Sequence, residues 1–207
     1  MKTGDSDEFS VLHNNSIHKE KVENMDIYEA IEKRRTIRKY QGPATEEQLQ
    51  RILSAGVKAP SAGNRQSWEF VIVDDPALIE KVSEVKYVLM RGKPRGEEAP
   101  PAQEKVAQTQ KDSFANASLV LVYSKQGVAE AATAWVCIEN MLLAAVAEGL
   151  GTRIAMFWGD SVKEIDKLVS APEDLALAAA ITVGIPAQEP GPRSLRPEGR
   201  WLHRNRF

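Results

Sequence analysis

Arg34-Arg35-Thr36-Ile37-Arg38-Lys39-Tyr40, read as RRTIRKY, places four cationic side chains within seven residues of a chain whose net charge is only −2. The segment follows apolar residues Ile27, Ala30 and Ile31 at spacing i, i+3 and i+4, which predicts a helix ending near Arg34. Basic side chains at a helix end offset the negative pole of the macrodipole, so a solvated helix end is the plain interpretation. The alternative is an anion-binding segment, and the rest of the chain must decide between the two.

Composition restricts the possible functions. A length of 207 residues predicts one domain. With 27 Lys+Arg against 29 Asp+Glu, no overall field attracts nucleic acid or an anionic membrane, and we expect neither as a partner. One cysteine, Cys137, and three scattered histidines predict no protein-held metal and favour a cytoplasmic location; a mid-helix Cys137 is expected to be a buried, inert thiol.

The apolar pattern predicts alternating helices and strands, and therefore helices packed on a sheet. Residues 1–24 are polar and without period, which predicts a mobile tail before a single domain at 25–207. The expected helices begin at Asp26, after the capping box Thr45 to Gln48, after Pro76 through about Val85, at 128–148, and at Asp160 or Ser161 with Glu164 completing a box. The expected strands are 68–73, 118–123, 154–158 and 178–185.

Two further segments have little periodicity. Residues 87–112 contain many glycines, prolines and charges, which predicts an exposed, lid-like excursion that is partly helical at best. Residues 187–207 are rich in proline and arginine, and we expect them to form an arm that wraps over another surface.

The loop PSAGNRQSWEF, residues 60–70, is the second informative motif. Ser61, Asn64 and Gln66 supply a hydroxyl and two carboxamides in a loop that Gly63 allows to bend, a set that suits a polar heterocycle. The alternative is that these are turn residues satisfying their own backbone.

Two weaker motifs add to the pattern. GLGT, Gly149 to Thr152, can simply end a helix, and the C-terminal RSLRPEGRWLHRNRF, with Arg193 and Arg196, can be a solvated tail. Together the motifs could surround a ligand with a phosphate at one end and a polar ring at the other, because guanidinium groups bind phosphate oxygens in pairs. A mononucleotide fits this description.

The order of these motifs resembles the nitroreductase family of FMN-dependent oxidoreductases, over about Asp26 to Phe207. RRTIRKY, PSAGNRQSW, NMLLAAVAEGLGT and LRPEGRWLHRNRF carry the resemblance. It implies an α+β fold, a three-layer α-β-α sandwich with a central mixed or antiparallel sheet. It also implies an intertwined homodimer with FMN at the subunit interface.

The same resemblance assigns cofactor-binding roles. Arg34 would reach the phosphate and Arg38 the N1/O2 edge of the flavin, with Arg35 and Thr36 beside them. The partner subunit would contribute the loop, and backbone amides near Ala155 and Met156 would face flavin N5 and O4. The loop residues so implied are Pro60, Ser61, Ala62, Asn64 and Gln66. Arg196, and less directly Arg193, would match the C-terminal phosphate arginine.

The implied reaction is ping-pong: NADH or NADPH reduces the flavin, and a small electron-poor acceptor such as a nitroaromatic or quinone takes its place. The flavin carries the chemistry, so no catalytic side chain is expected, although Arg38 would stabilise the reduced, anionic flavin. Reductive dehalogenation, flavin fragmentation and flavin binding without turnover are the alternatives. The chain departs from the family at Ser67, where proline is common, and at Met156-Phe157-Trp158, which would narrow the substrate face.

Overall fold

A single antiparallel sheet organises the chain. The computed structural model describes residues 25–93 and 96–207, so the tail expected at 1–24 lies outside the described residues. The strands are β1 Tyr40–Pro43, β2 Trp68–Val73, β3 Ser118–Lys125, β4 Gly151–Ala155 and β5 Leu175–Pro186. Strand β5 pairs with β1, β3 and β4, and β2 pairs with β3, all antiparallel.

Six α-helices surround this sheet in the described part of the chain. They are α1 Ile27–Lys33, α2 Glu46–Gly56, α3 Pro76–Arg91, α4 Pro101–Asp112, α5 Val128–Ala147 and α6 Asp160–Val169. Helix α2 begins with the predicted capping box, in which the Thr45 hydroxyl accepts from the Gln48 N–H and the Gln48 side chain accepts from the Thr45 N–H.

Alternating side chains of β3 separate two apolar cores. Val120 and Val122 belong to the core shared with α2 and α5, whereas Leu119 and Leu121 belong to the core shared with α3 and α6. A sheet with helices on both faces is a three-layer α-β-α sandwich, so the α+β prediction is confirmed.

Helix α5 is the central helix of the first layer. Among the described residues it alone is long and apolar enough, by length and composition, to cross a membrane. Its buried side chains, which include Cys137, Ile138 and Met141, pack into the core of α2 and the sheet.

The structure corrects several element boundaries. The excursion expected at 87–112 is mostly helical, because α3 continues to Arg91, where Gly92 ends it in the left-handed conformation, and α4 begins at Pro101. The strand predicted at 154–158 begins three residues earlier, at Gly151. Helix α6 has Gly159 at its N-cap without a side-chain cap, so the predicted capping box there is wrong.

Candidate functional site

The basic motif lies directly beside the glycine motif. Thr36 forms a parallel bridge with Thr152, and the N–H of Ile37 donates to the Thr152 carbonyl at 2.9 Å. The approach is close at Gly151, where a Cβ atom would lie 2.6 Å from Cγ1 of Ile37. Glycine is therefore required for packing at this position.

Three of the predicted cofactor-binding arginines lie together at the C-terminal end of α1. Arg193 donates from Nη2 to the carbonyls of Ile31, at 3.2 Å, and Arg34, at 2.5 Å, and Arg35 donates to the carbonyl of Gly191. The side chain of Arg34 remains 27 % exposed, with its Nε 3.6 Å from a carboxylate oxygen of Glu139. These contacts fasten the beginning of the C-terminal arm to the basic motif.

Arg196 is not brought into this cluster. It is exposed, and its carbonyl accepts from the indole N–H of Trp201 at 3.2 Å. No hydrogen bond or ion pair joins its side chain to another described residue. Its predicted role at a phosphate stays a prediction.

The amide-rich loop holds itself in an unusual conformation. Ser61 Oγ accepts from the N–H of Gln66 at 3.1 Å, and Gln66 Nε2 donates to Asn64 Oδ1 at 3.0 Å. Asn64 and Gln66 have φ of 53° and 49°, in the left-handed region that side chains other than glycine rarely adopt. The turn interpretation accounts for the Ser61 hydroxyl, and the strained backbone is of the kind that clusters at ligand sites.

Within one chain the loop and the basic motif are separated along α5. Ala62, which follows the exposed Pro60 and the half-buried Ser61, donates its N–H to Thr133 Oγ1 at 3.3 Å, whereas Arg34 pairs with Glu139. Six residues of helix separate these two anchor points, or about 9 Å. Among the described residues, no hydrogen bond or ion pair joins the loop to RRTIRKY within one chain.

Tyr40 connects the basic motif to the sheet through hydrogen bonds. Its hydroxyl donates to the Ile37 carbonyl at 2.8 Å and lies 2.9 Å from Thr182 Oγ1. Burial raises the pKa of Tyr40 to about 12, opposed by the Thr182 hydrogen bond and by the positive charges of Arg153 and Arg38. The phenol is therefore neutral and fixed. Arg38 is exposed, and its positive charge acts on this buried phenol.

The segment after β4 presents unused backbone donors. Ala155 is buried and pairs with Ala180, whereas Met156 is 41 % exposed and Trp158 is 54 % exposed on either side of the buried Phe157. Within residues 25–93 and 96–207, neither the N–H of Met156 nor that of Phe157 has a hydrogen-bond acceptor. A ligand with acceptor atoms can satisfy them.

Sequence reasoning missed two buried cations near this segment. Lys86 on α3 is 4 % exposed and donates from Nζ to the Met156 carbonyl at 2.7 Å, and Arg153 on β4 is 2 % exposed. No role was assigned to either residue from the sequence. A charged residue inside the otherwise apolar strand GTRIA was the one local signal for Arg153.

A cavity of about 620 Å³ lies elsewhere, between β2, α2 and α3. Its lining includes Ala44, Leu49, Ile72, Ile79 and Phe114, and none of the predicted site residues. The candidate site of a single chain is therefore separate from this cavity. It is a partly open surface formed by arginines and by N–H groups without acceptors.

Fold and site define a helix-covered antiparallel sandwich with a cluster of arginines at the end of its first helix. The sequence model of the Nitroreductase family matches residues 31–185, so the chain belongs to that family. A relative from Methanothermobacter thermautotrophicus, named as an NADH dehydrogenase/NAD(P)H nitroreductase, is 33% identical over 189 residues, covering 84% of this chain and 85% of the relative.

Two other relatives have a different named activity. An iodotyrosine deiodinase of Thermotoga neapolitana is 30% identical over 179 residues, covering 83% of this chain and 94% of the relative. The crystal structure of an oxidized iodotyrosine deiodinase bound to FMN and 3-iodo-L-tyrosine superposes with a TM-score of 0.72 at 26% identity, covering 88% of this chain and all of that one.

Proposed function

We propose that this protein is an FMN-dependent oxidoreductase that takes electrons from NADH or NADPH and reduces electron-poor acceptors such as nitroaromatics or quinones. The observation that carries the proposal is the junction of the basic motif with β4, where Ile37 bonds to Thr152 and Arg193 bonds to the carbonyl of Arg34. Two comparisons support it. One relative is named an NAD(P)H nitroreductase, and one similar solved structure contains bound FMN.

The residues present fit FMN. The partly exposed guanidinium groups of Arg34, Arg35 and Arg193 at the end of α1 suit the phosphate, which guanidinium groups bind through charge-assisted hydrogen bonds. The unused N–H groups of Met156 and Phe157 suit the acceptor atoms of a flavin ring.

Bound FMN would supply the two-electron chemistry, accepting from a nicotinamide and delivering to the acceptor. The chain's own residues bind and orient. Arg38, exposed at the end of the basic motif, is proposed to hold its positive charge at the pyrimidine edge, where it favours a negatively charged ring. Met156 and Trp158, both exposed, would border the face on which the acceptor lies.

A second copy of the chain is part of this proposal. Helices α1 and α5 expose large apolar side chains, Tyr28 at 80 %, Ile31 at 45 %, Trp135 at 38 % and Val136 at 42 %. Contiguous exposed apolar groups of this kind mark interaction surfaces. A homodimer through this face would cover them and bring the loop 60–66 of one subunit to the basic motif of the other. We propose a cytoplasmic location, where NAD(P)H and a reduced Cys137 are both expected.

The test is the visible spectrum of the purified protein, followed by anaerobic addition of NADH or NADPH. We expect a yellow protein that releases FMN on denaturation and bleaches with at least one of the two donors. Addition of a quinone should then restore the colour. A colourless protein that gains no FMN on incubation would refute the proposal, and a yellow protein that neither donor bleaches would favour flavin storage.

Reductive dehalogenation is the second candidate, and the match to the Thermotoga neapolitana deiodinase over 94% of its length favours it. The discriminating measurement is iodide release from 3-iodotyrosine by the reduced holoprotein, compared with quinone reduction under the same conditions. If the rate of iodide release exceeds the rate of quinone reduction, reductive dehalogenation replaces quinone and nitroaromatic reduction as the proposed function.

A further inference from the structure

Lys86 is a buried ammonium group that has no carboxylate partner among the described residues. Its Nζ donates to the Met156 carbonyl at 2.7 Å and lies 5.0 Å from the ring centroid of Trp158 and 5.5 Å from that of Phe157. No Asp or Glu of the described residues forms an ion pair with it. Burial of an unpaired ammonium costs several kcal/mol even after relaxation, on the order of the net stability of many domains.

The hydrogen bond to Met156 fixes one peptide group. The described chain has no cis peptide bond, and in a trans peptide the C=O and the following N–H point in opposite directions. Because the Met156 carbonyl points to Lys86 on α3, the N–H of Phe157 points away from α3. It is one of the two N–H groups after β4 that have no acceptor in the described residues.

Arg153 adds a second buried charge close by. Its Nη2 donates to Gln110 Oε1, its guanidinium carbon lies 5.1 Å from the ring centroid of Phe114, and its Nη1 has no partner among the described residues. Burial lowers the pKa of Lys86 to about 8 and that of Arg153 to about 10, and the charge of Arg153 contributes to the lower pKa of Lys86. At neutral pH both side chains are charged.

Arg38 is the third cation of this group. Its charge contributes to the lower pKa of Arg153, although it lies at the surface of the basic motif. Arg38 therefore acts on Arg153, and Arg153 acts on Lys86, with no carboxylate of the described chain in an ion pair with any of the three. Such a field stabilises negative charge that arises on a nearby ligand.

We propose that Lys86 is a positioning residue for the cofactor. It holds the Met156–Phe157 peptide so that its free N–H faces the ligand, and together with Arg153 it places buried positive charge behind that peptide. The role rests on the proposed function, since the ligand is FMN. Its consequence is that reduced FMN, which carries more negative charge than oxidised FMN, binds more tightly relative to the oxidised form than it would without Lys86.

A purely structural role predicts something different. If Lys86 only satisfies the Met156 carbonyl, its replacement changes stability and leaves the flavin's redox properties unchanged. Methionine is similar to lysine in volume and removes the desolvation cost of the buried charge, so Lys86→Met is expected to fold. The readout must therefore be the reduction potential of bound FMN.

The experiment compares the full-length holoproteins of wild type, Lys86→Met, Lys86→Arg and the control Lys81→Met, which removes an exposed lysine of the same helix. The midpoint potential of bound FMN is measured by equilibration with a redox dye, alongside the dissociation constant of oxidised FMN. We expect Lys86→Met to weaken reduced FMN relative to oxidised FMN by about tenfold, which is about 30 mV for a two-electron couple. Lys81→Met should match wild type, and Lys86→Arg should lie closer to wild type than Lys86→Met.

Each outcome bears on one statement. An unchanged potential in Lys86→Met overturns the inference while the proposed function stands. Absence of FMN from the wild-type protein refutes the proposed function instead. If Lys86→Met does not fold, Lys86→Gln takes its place, because glutamine retains a hydrogen-bond donor and removes the charge. A midpoint potential lower than that of wild type then supports the inference, and an unchanged potential overturns it.

Discussion

The hydroxyl of Tyr40 lies 2.9 Å from Oγ1 of Thr182, a residue 142 positions further along the chain at the centre of β5. Both side chains are buried, and the same hydroxyl donates to the Ile37 carbonyl at 2.8 Å. This contact joins the end of the basic motif to the middle of the sheet. It fixes the position from which Arg38 extends.

Tyr40→Phe removes this connection and leaves the ring. We expect the free energy of unfolding to fall by about 1–3 kcal/mol, because the Ile37 carbonyl and the Thr182 hydroxyl lose a buried partner. Urea denaturation measures the change. Tyr28→Phe is the control, since the Tyr28 hydroxyl has no hydrogen-bond partner among the described residues. Equal stability of the two variants would contradict the role of the Tyr40 hydroxyl.

Gly151→Ala tests the close approach of the two motifs. The added methyl would lie 2.6 Å from Cγ1 of Ile37, so the basic segment or β4 must move. We expect a loss of about 1–3 kcal/mol, as for other overpacked sites, together with weaker FMN binding. Gly191→Ala serves as the control because no atom lies within 4 Å of its added Cβ. Calorimetric melting and FMN titration of both variants decide the outcome.

The local elements that the sequence predicts well are those with local causes. Strand β2 lies at Trp68–Val73 as expected, since an aromatic and β-branched run is followed by a proline turn. Helix α2 has its capping box for the same reason. In contrast, β4 begins at Gly151 because Gly151 pairs with Gly184 of β5, and a tertiary contact of this kind leaves no local pattern.

Helix α4 was missed for a related reason. Only Ala107 of this helix is buried, so it has hardly any apolar stripe to recognise. It is held instead by ion pairs to α3, between Arg91 and Glu104 and between Lys111 and Glu84. The buried positions of Lys86 and Arg153 also depend on tertiary packing, whereas the arginines of the basic motif were found because they are adjacent in sequence.

Arg38→Ala should weaken FMN binding and reduction by NAD(P)H together. The expected loss is about tenfold in each, since a hydrogen bond to a charged group contributes about 1.5–3 kcal/mol. Fluorescence titration with FMN and stopped-flow reduction measure the two quantities. Lys39→Ala, an exposed neighbour, is the matched control. Unchanged occupancy and rate in Arg38→Ala would refute the role assigned to Arg38.

Lys86 predicts a specific pH dependence of stability. Its pKa is about 8 in the folded protein and ordinarily 10.5. Below pH 8 both states are protonated and the full cost of the buried charge remains. Between pH 8 and 10.5 the unfolded state binds more protons, so the stability of wild type rises relative to Lys86→Met, by at most about 3 kcal/mol.

Urea unfolding of wild type, Lys86→Met and Lys81→Met at pH 7 and pH 10 measures this effect. The difference in the free energy of unfolding between wild type and Lys86→Met should shift in favour of wild type at the higher pH. The difference between wild type and Lys81→Met should stay constant. Parallel behaviour of all three proteins would show that Lys86 keeps an ordinary pKa.

Trp135→Glu tests the proposed subunit interface. Trp135 is 38 % exposed on α5, next to Val136, which is 42 % exposed. An interface between identical subunits contains every substitution twice, so two carboxylates would replace two aromatic anchors that typically each contribute about 2 kcal/mol or more. We expect a dimeric wild type in light scattering, a monomeric Trp135→Glu, and a loss of FMN in the variant because the partner's loop no longer reaches the site.

Val106→Glu on α4, where the valine is 48 % exposed, controls for the added charge. A Trp135→Glu protein that stays dimeric would show that the dimer uses another face. A monomeric wild type that retains FMN would show that the site is complete within one chain.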